Sequence, residues 1–161
     1  MRTLKQAKAQ LMRDRFEGVV CPCCEQYAKV YKRTITASMA LWLIWLVQSY
    51  RREKRWYHVR ECLPFFARSK KAAGTAYTGD YAKLLHWGLL RQCTEEVEGK
   101  KSSGLWKPTR KGYRFALGRI TVPRHAYLYD GHCIELSGPA ITITDALGTK
   151  FDYEKLMRGD L

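Results

Sequence analysis

Apolar residues over the first sixteen positions fall at Leu4, Ala7, Leu11 and Phe16, a helical spacing, while Arg2, Lys5, Lys8, Arg13 and Arg15 fill most other directions. The pattern predicts a basic amphipathic helix. After Gly18 the period shortens to two: Tyr27, Lys29, Tyr31 and Arg33 alternate with Ala28, Val30 and Lys32, so a strand is expected to follow the turn Cys21-Pro22-Cys23-Cys24. Thr36 or Ser38 can cap the next helix, whose interior over 39–47 is apolar on nearly every face and includes Trp42 and Trp45. A helix without a polar side belongs at the centre of a core.

The charged break at 51–55 leads into Trp56-Tyr57-His58-Val59, an aromatic and β-branched run suited to a short strand. Pro64 fits the first turn of a helix continuing to about residue 71, because its missing N–H needs no partner there. Small and polar residues over 72–78 predict a turn, and Thr78 can cap a helix that Gly88 ends. A strand over 89–97, a reversal through EGKKSSG and a returning strand over 105–108 follow, and Thr109 starts a short helix. Asp130-Gly131 between HAYLY and HCIEL is a type I′ hairpin signal. The tail predicts a strand over 141–143 and a helix over 152–157. The expected class is α+β, with a basic helix and cysteine turn over 1–33, a main domain over 34–118 and a β-hairpin and helix appendage over 119–161.

The order helix, strand, helix, turn, helix, two strands over 37–109 resembles the winged helix-turn-helix regulators of the MarR and PadR kind. The resemblance rests on Leu84-Leu85-His86-Trp87-Gly88-Leu89-Leu90 and, beyond the glycine-containing loop, on Trp106-Lys107-Pro108-Thr109-Arg110-Lys111-Gly112. It implies a recognition helix over 77–87, with Tyr77, Thr78, Asp80, Tyr81 and Lys83 nearest a groove. It also implies phosphate contacts from Arg68, Lys70 and Lys71 before the turn and from Lys100, Lys101, Ser102 and Lys107 on the wing. Cys-Pro-Cys-Cys followed by a basic strand and an apolar helix also resembles small bacteriophage-encoded proteins.

Charge strengthens the nucleic-acid expectation. Lys and Arg number 29 against 15 Asp and Glu, a net +14, and such a surplus is most simply balanced by a polyanion, here double-stranded DNA. The bland alternative is a solvated basic surface. The N-terminus has no apolar signal core, and the uncharged stretch over 34–50 has an apolar centre of about a dozen residues, short of a membrane span, so the expected address is cytoplasmic.

Six cysteines in a reducing compartment read as thiols or metal ligands. Cys21 and Cys24 have the spacing of half a zinc site, Cys23 offers another register, and His58 with Cys62 could complete a tetrahedron, Cys93 being a further candidate. An inert thiol cluster or a redox C-x-x-C motif is the alternative, though the βαβ context of the latter is missing. The chain has no phosphate loop, no H-E-x-x-H and no G-x-S-x-G. Glu95, Glu96 and Glu98 beside lysines suit a solvated loop better than a Mg²⁺ site, and His125 and His132 flank the hairpin. The expected function is therefore a non-catalytic DNA-binding regulator or architectural factor; the alternative is an inhibitor or adaptor that occupies a host nucleoprotein or polymerase.

Overall fold

The computed structural model describes residues 2–73, 79–95 and 104–160. The chain divides into a first unit, Met1–Thr34 with His125–Ser137, and a second, Ile35–Arg124 with Gly138–Leu161. In the first, helix α1 (Leu4–Asp14) begins at a capping box: Thr3 Oγ1 accepts the Gln6 N–H at 3.3 Å and Gln6 Oε1 accepts the Thr3 N–H at 2.9 Å. Strands β1 (Val19–Val20) and β2 (Tyr27–Ala28) then pair antiparallel around the cysteine turn, which is closed by Cys21 N–H to Gln26 O and Glu25 N–H to Cys21 O. The single strand expected over 27–33 is interrupted. Val30 turns inward and gives its N–H to Arg15 O at 2.7 Å, so the ladder restarts as β3 (Tyr31–Thr34).

The second unit is built on α2 (Ala37–Arg52), started by Thr36, whose hydroxyl accepts the Met39 N–H. Residues 39–47 of α2 are all buried, as a helix apolar on every face requires. At its end Tyr57 OH lies 2.7 Å from Ser49 O, in the last turn, and 2.6 Å from Glu53 O, just beyond it. Strand β4 (Tyr57–His58) and a 3₁₀ turn (Val59–Cys62) lead into α3 (Leu63–Phe66), with Pro64 in its first turn as expected. The helix expected to reach about residue 71 breaks instead. The N–H groups of Arg68 and Ser69 bond three residues back, which tightens and ends the turn, and Ser69 O then receives Ala72 and Ala73 to open α4 (Lys70–Ala73).

Residues Asp80–Trp87 form a 3₁₀ helix between Gly79 and Gly88, both left-handed, rather than the expected α-helix. The reason lies in its stripe: Tyr81, Leu84 and Trp87 recur every three residues, the repeat of a 3₁₀ helix, and all three turn inward. Strand β5 (Leu90–Gln92), shorter than the expected 89–97, pairs with β6 (Leu105–Pro108), and β6 also pairs with β4, giving the antiparallel order β4-β6-β5. Thr109 caps α5 (Arg110–Ala116), accepting the Gly112 N–H at 3.0 Å.

Strands β7 (Val122–Tyr129) and β8 (His132–Ile141) form the expected hairpin, longer than the sequence signal, with Asp130 and Gly131 at φ 50 and 73 as a type I′ turn demands. The sheet order β3-β7-β8 joins this hairpin to the N-terminal segment through residues 125–128 of β7. The strand expected over 141–143 stops at Ile141 because Thr142 and Asp145 form a capping box and start α6 (Ile143–Leu147). Helix α7 (Tyr153–Met157) docks through Tyr153 OH to Ala116 O at 2.7 Å and through Gln48 Nε2 to Leu156 O at 2.9 Å. The fold is mixed α and β, and among the described residues no helix is long and apolar enough to cross a membrane.

Candidate nucleic-acid interface

The two residues after the 3₁₀ helix, Gly88 and Leu89, are locked by Thr109. Its hydroxyl donates to Gly88 O at 2.6 Å while its backbone N–H donates to Leu89 O, which ties the start of α5 to the entry of β5. Gly112 makes this possible: a Cβ there would stand 2.0 Å from Leu89 O. Two remote parts of the sequence, 88–89 and 109–112, thus meet backbone to backbone, and the strands between them are held in register.

That register places like charges side by side. Leu90 opposes Pro108 and Gln92 opposes Trp106, so Arg91 and Lys107 are direct partners on the same face. Leu90, Trp106 and Pro108 are buried, which turns the two cations to the other side. Like charges directly opposite destabilise a sheet unless something offsets them. Lys107 finds a partial offset in Trp56, its Nζ lying 4.5 Å from the ring centroid. The exposed Arg110 and Lys111 follow at the start of α5. Sequence reasoning included Lys107 but missed Arg91, Arg110, Lys111 and Trp56; pairing 90–92 against 105–108 on their inward residues would have found Arg91.

The other expected contacts are distributed unevenly. Lys83 is half-buried and tied to Asp80, Nζ to Oδ1 at 2.6 Å, within the 3₁₀ helix. Tyr81 serves the core: its ring stacks on Trp42 at 4.4 Å and meets Trp106 edge-on at 5.6 Å. Arg68, Lys70 and Lys71 are exposed on and before α4. Tyr77, Thr78, Lys100, Lys101 and Ser102 lie outside the described residues, as do Glu96 and Glu98.

No family model, curated protein or solved structure matches this chain.

The predicted zinc ligands are divided between the two units. Cys21 and Cys24 share the β1–β2 turn of the first unit, whereas His58 and Cys62 belong to the second. The N–H groups of Cys24 and Cys23 face the Cys21 sulfur and hold its thiol below the ordinary value, a setting that favours thiolate. Glu25, directly after the turn, takes φ 61, the left-handed conformation that lets the chain reverse there. His58 instead uses Nδ1 to accept the Arg60 N–H at 3.1 Å. Cys62 is completely buried, and desolvation pushes its thiol up to about 11, only partly opposed by the adjoining Trp42 indole. Cys93 is also buried. Among the described residues no three His, Cys, Asp or Glu side chains converge as a metal cage.

Proposed function

We propose that the second unit is a winged-helix module that binds double-stranded DNA without catalysing a reaction, as a regulator or architectural factor. The observation that carries this reading is the strand order β4-β6-β5, with α2 before the first strand and, among the described residues, four short helical segments between β4 and β5. In this connectivity the last strand lies between the other two, and on this reading the sequence joining β5 to β6 is the wing. The Arg91–Lys107 pair supplies a reason for a polyanion at that sheet: two cations opposed across a ladder are relieved when phosphates approach. Lys100 and Lys101 belong to the wing connection and would extend this contact, while Arg68, Lys70 and Lys71 supply further cations.

Because the 3₁₀ helix spends Tyr81 on Trp42 and Trp106 and Lys83 on Asp80, binding on this reading is led by phosphate contacts rather than by base reading. The test is fluorescence anisotropy of the purified protein on random-sequence duplex across a salt series. Affinity that falls steeply and log-linearly with salt is the expected result; absence of duplex binding at low salt would sink the proposal.

A second reading draws on the first unit. Leu4, Phe16, Val20, Tyr27, Tyr31 and Ile134 are all exposed large apolar side chains there. That concentration favours a protein partner, so an inhibitor or adaptor that engages a host nucleoprotein or polymerase is the alternative. It predicts a stable protein complex from a chain with little duplex affinity. Zinc belongs to the same unit as a proposal: Cys21 and Cys24 would supply two thiolates, and metal content should fall on replacing both with serine.

A further inference from the structure

The strongest uncommitted feature of the second unit is a basic cleft at the C-terminal end of α2. Two adjoining cavities of about 410 and 350 Å³ share Trp45, Arg52, Phe65 and Arg68 in their walls. Arg51 and Arg158 line the larger one, together with Met157. Glu61 is the carboxylate in these walls, and it is already held by Arg55 at 2.7 Å; Arg55 also reaches Glu53 at 3.3 Å. Among the described residues Arg51, Arg52, Arg68 and Arg158 have no ion pair at all. Four uncompensated guanidinium groups around one hollow repel each other, and an arginine fork matches a phosphate with two parallel hydrogen bonds. A helix C-terminus would ordinarily repel an anion. Here the Tyr57 hydroxyl lies within hydrogen-bond reach of the Ser49 and Glu53 carbonyls, and the full charges of four arginines outweigh the half charge of the helix end.

We propose that this cleft binds a nucleoside polyphosphate, with Arg51, Arg52, Arg68 and Arg158 on the phosphates and the Trp45, Phe65 and Met157 wall against the base. The larger volume falls within the range of small-molecule sites. Three elements line it, α2, α7 and the segment from α3 to Arg68, so it is shaped for a discrete molecule rather than for a continuous strand. Its larger cavity lies away from the Arg91–Lys107 pair: Trp42 marks the part of α2 that faces Tyr81, and Arg51 lies about 13 Å further along the helix axis at the usual rise per residue. The smaller cavity meets the sheet only at Tyr57 of β4, and Arg68 is shared with the proposed DNA contacts. The inference does not depend on the winged-helix reading.

Calorimetric titration of the full chain with ATP, pyrophosphate and adenosine at moderate salt tests it. Saturable binding is expected in the order ATP, then pyrophosphate, with none for adenosine. Replacing Arg51 and Arg158 with Gln should weaken ATP about tenfold or more. The same change in Arg2 and Arg13, which line a separate basic hollow along α1, should leave ATP affinity unchanged. Thermal melts of each variant establish that folding is intact, as expected for exposed arginines. Absence of saturable ATP binding, equal loss in the α1 variant, or equal affinity for pyrophosphate would each overturn the proposal. So would full competition by a short single-stranded oligonucleotide at equal phosphate concentration, which would make the cleft part of a nucleic-acid track. DNA affinity retained by the Arg51/Arg158 variant would separate failure here from failure of the module's proposed role.

Discussion

Gly112 and Gly79 separate two reasons for a glycine. At Gly112 an added methyl group would strike the Leu89 carbonyl, which cannot retreat because it already accepts the Thr109 N–H. Gly112→Ala should cost about 3 kcal/mol in thermal unfolding. At Gly79 the backbone is left-handed but the space is open, so Gly79→Ala should cost only about 1 kcal/mol. Equal losses would mean that the Thr109–Gly112 contact is not the tight one. Thiols divide in the same residue-by-residue way. Alkylation at neutral pH should reach the exposed Cys23 and Cys24 quickly and Cys62 only on unfolding, since the latter is enclosed and its thiol is pushed up to about 11. Glu61 sets a pH dependence: the Arg55 guanidinium, then the His58 N–H, hold its carboxyl below the ordinary range against some desolvation. A depressed acid stabilises the fold when ionised, so its contribution is complete above the normal carboxylate range and disappears as pH falls through the lowered value. Glu61→Gln should therefore lower stability at neutral pH and flatten its decline towards acid, as read from denaturant midpoints.

Elements were legible where a local pattern decides them and obscure where distant pairing does. The Asp130-Gly131 turn, the all-apolar α2 and the Gly88 stop are dictated by neighbours in sequence, and they stand where the pattern puts them. The 3₁₀ helix was missed because eight residues cannot separate a repeat of 3.0 from one of 3.6, although Tyr81, Leu84 and Trp87 carry it. The long helix expected after Pro64 failed for another reason: Arg68 and Ser69 form bonds that close a turn, which composition does not encode. The candidate site was half legible. Its lysines could be named from charge, but Arg91 becomes a partner of Lys107 only once the register is known. Replacing Arg91 and Lys107 together with Gln should lower the salt dependence of duplex binding by about two phosphate contacts and weaken random and defined sequences alike. A selective loss on one sequence would instead assign base reading to this sheet.

At the scale of the molecule, α2 carries the second unit, since α5, α6, α7 and β6 all pack on it. Its amides over 39–47 should be the slowest to exchange with deuterated water, and protection centred on β7 and β8 would contradict that ordering. The first unit is organised differently, because β3 completes its sheet only with a strand from far along the chain: Thr34 and His125, bonded at 2.9 Å, are separated by 91 residues. On a ribosome, which adds roughly 5–20 residues each second, Tyr31–Thr34 would emerge and wait on the order of ten seconds before its partner is synthesised. During that interval an unpaired strand edge beside Tyr27 and Tyr31 is open to any other nascent chain, so the yield of native protein should depend on how quickly translation proceeds and on which chaperone attends the exit tunnel.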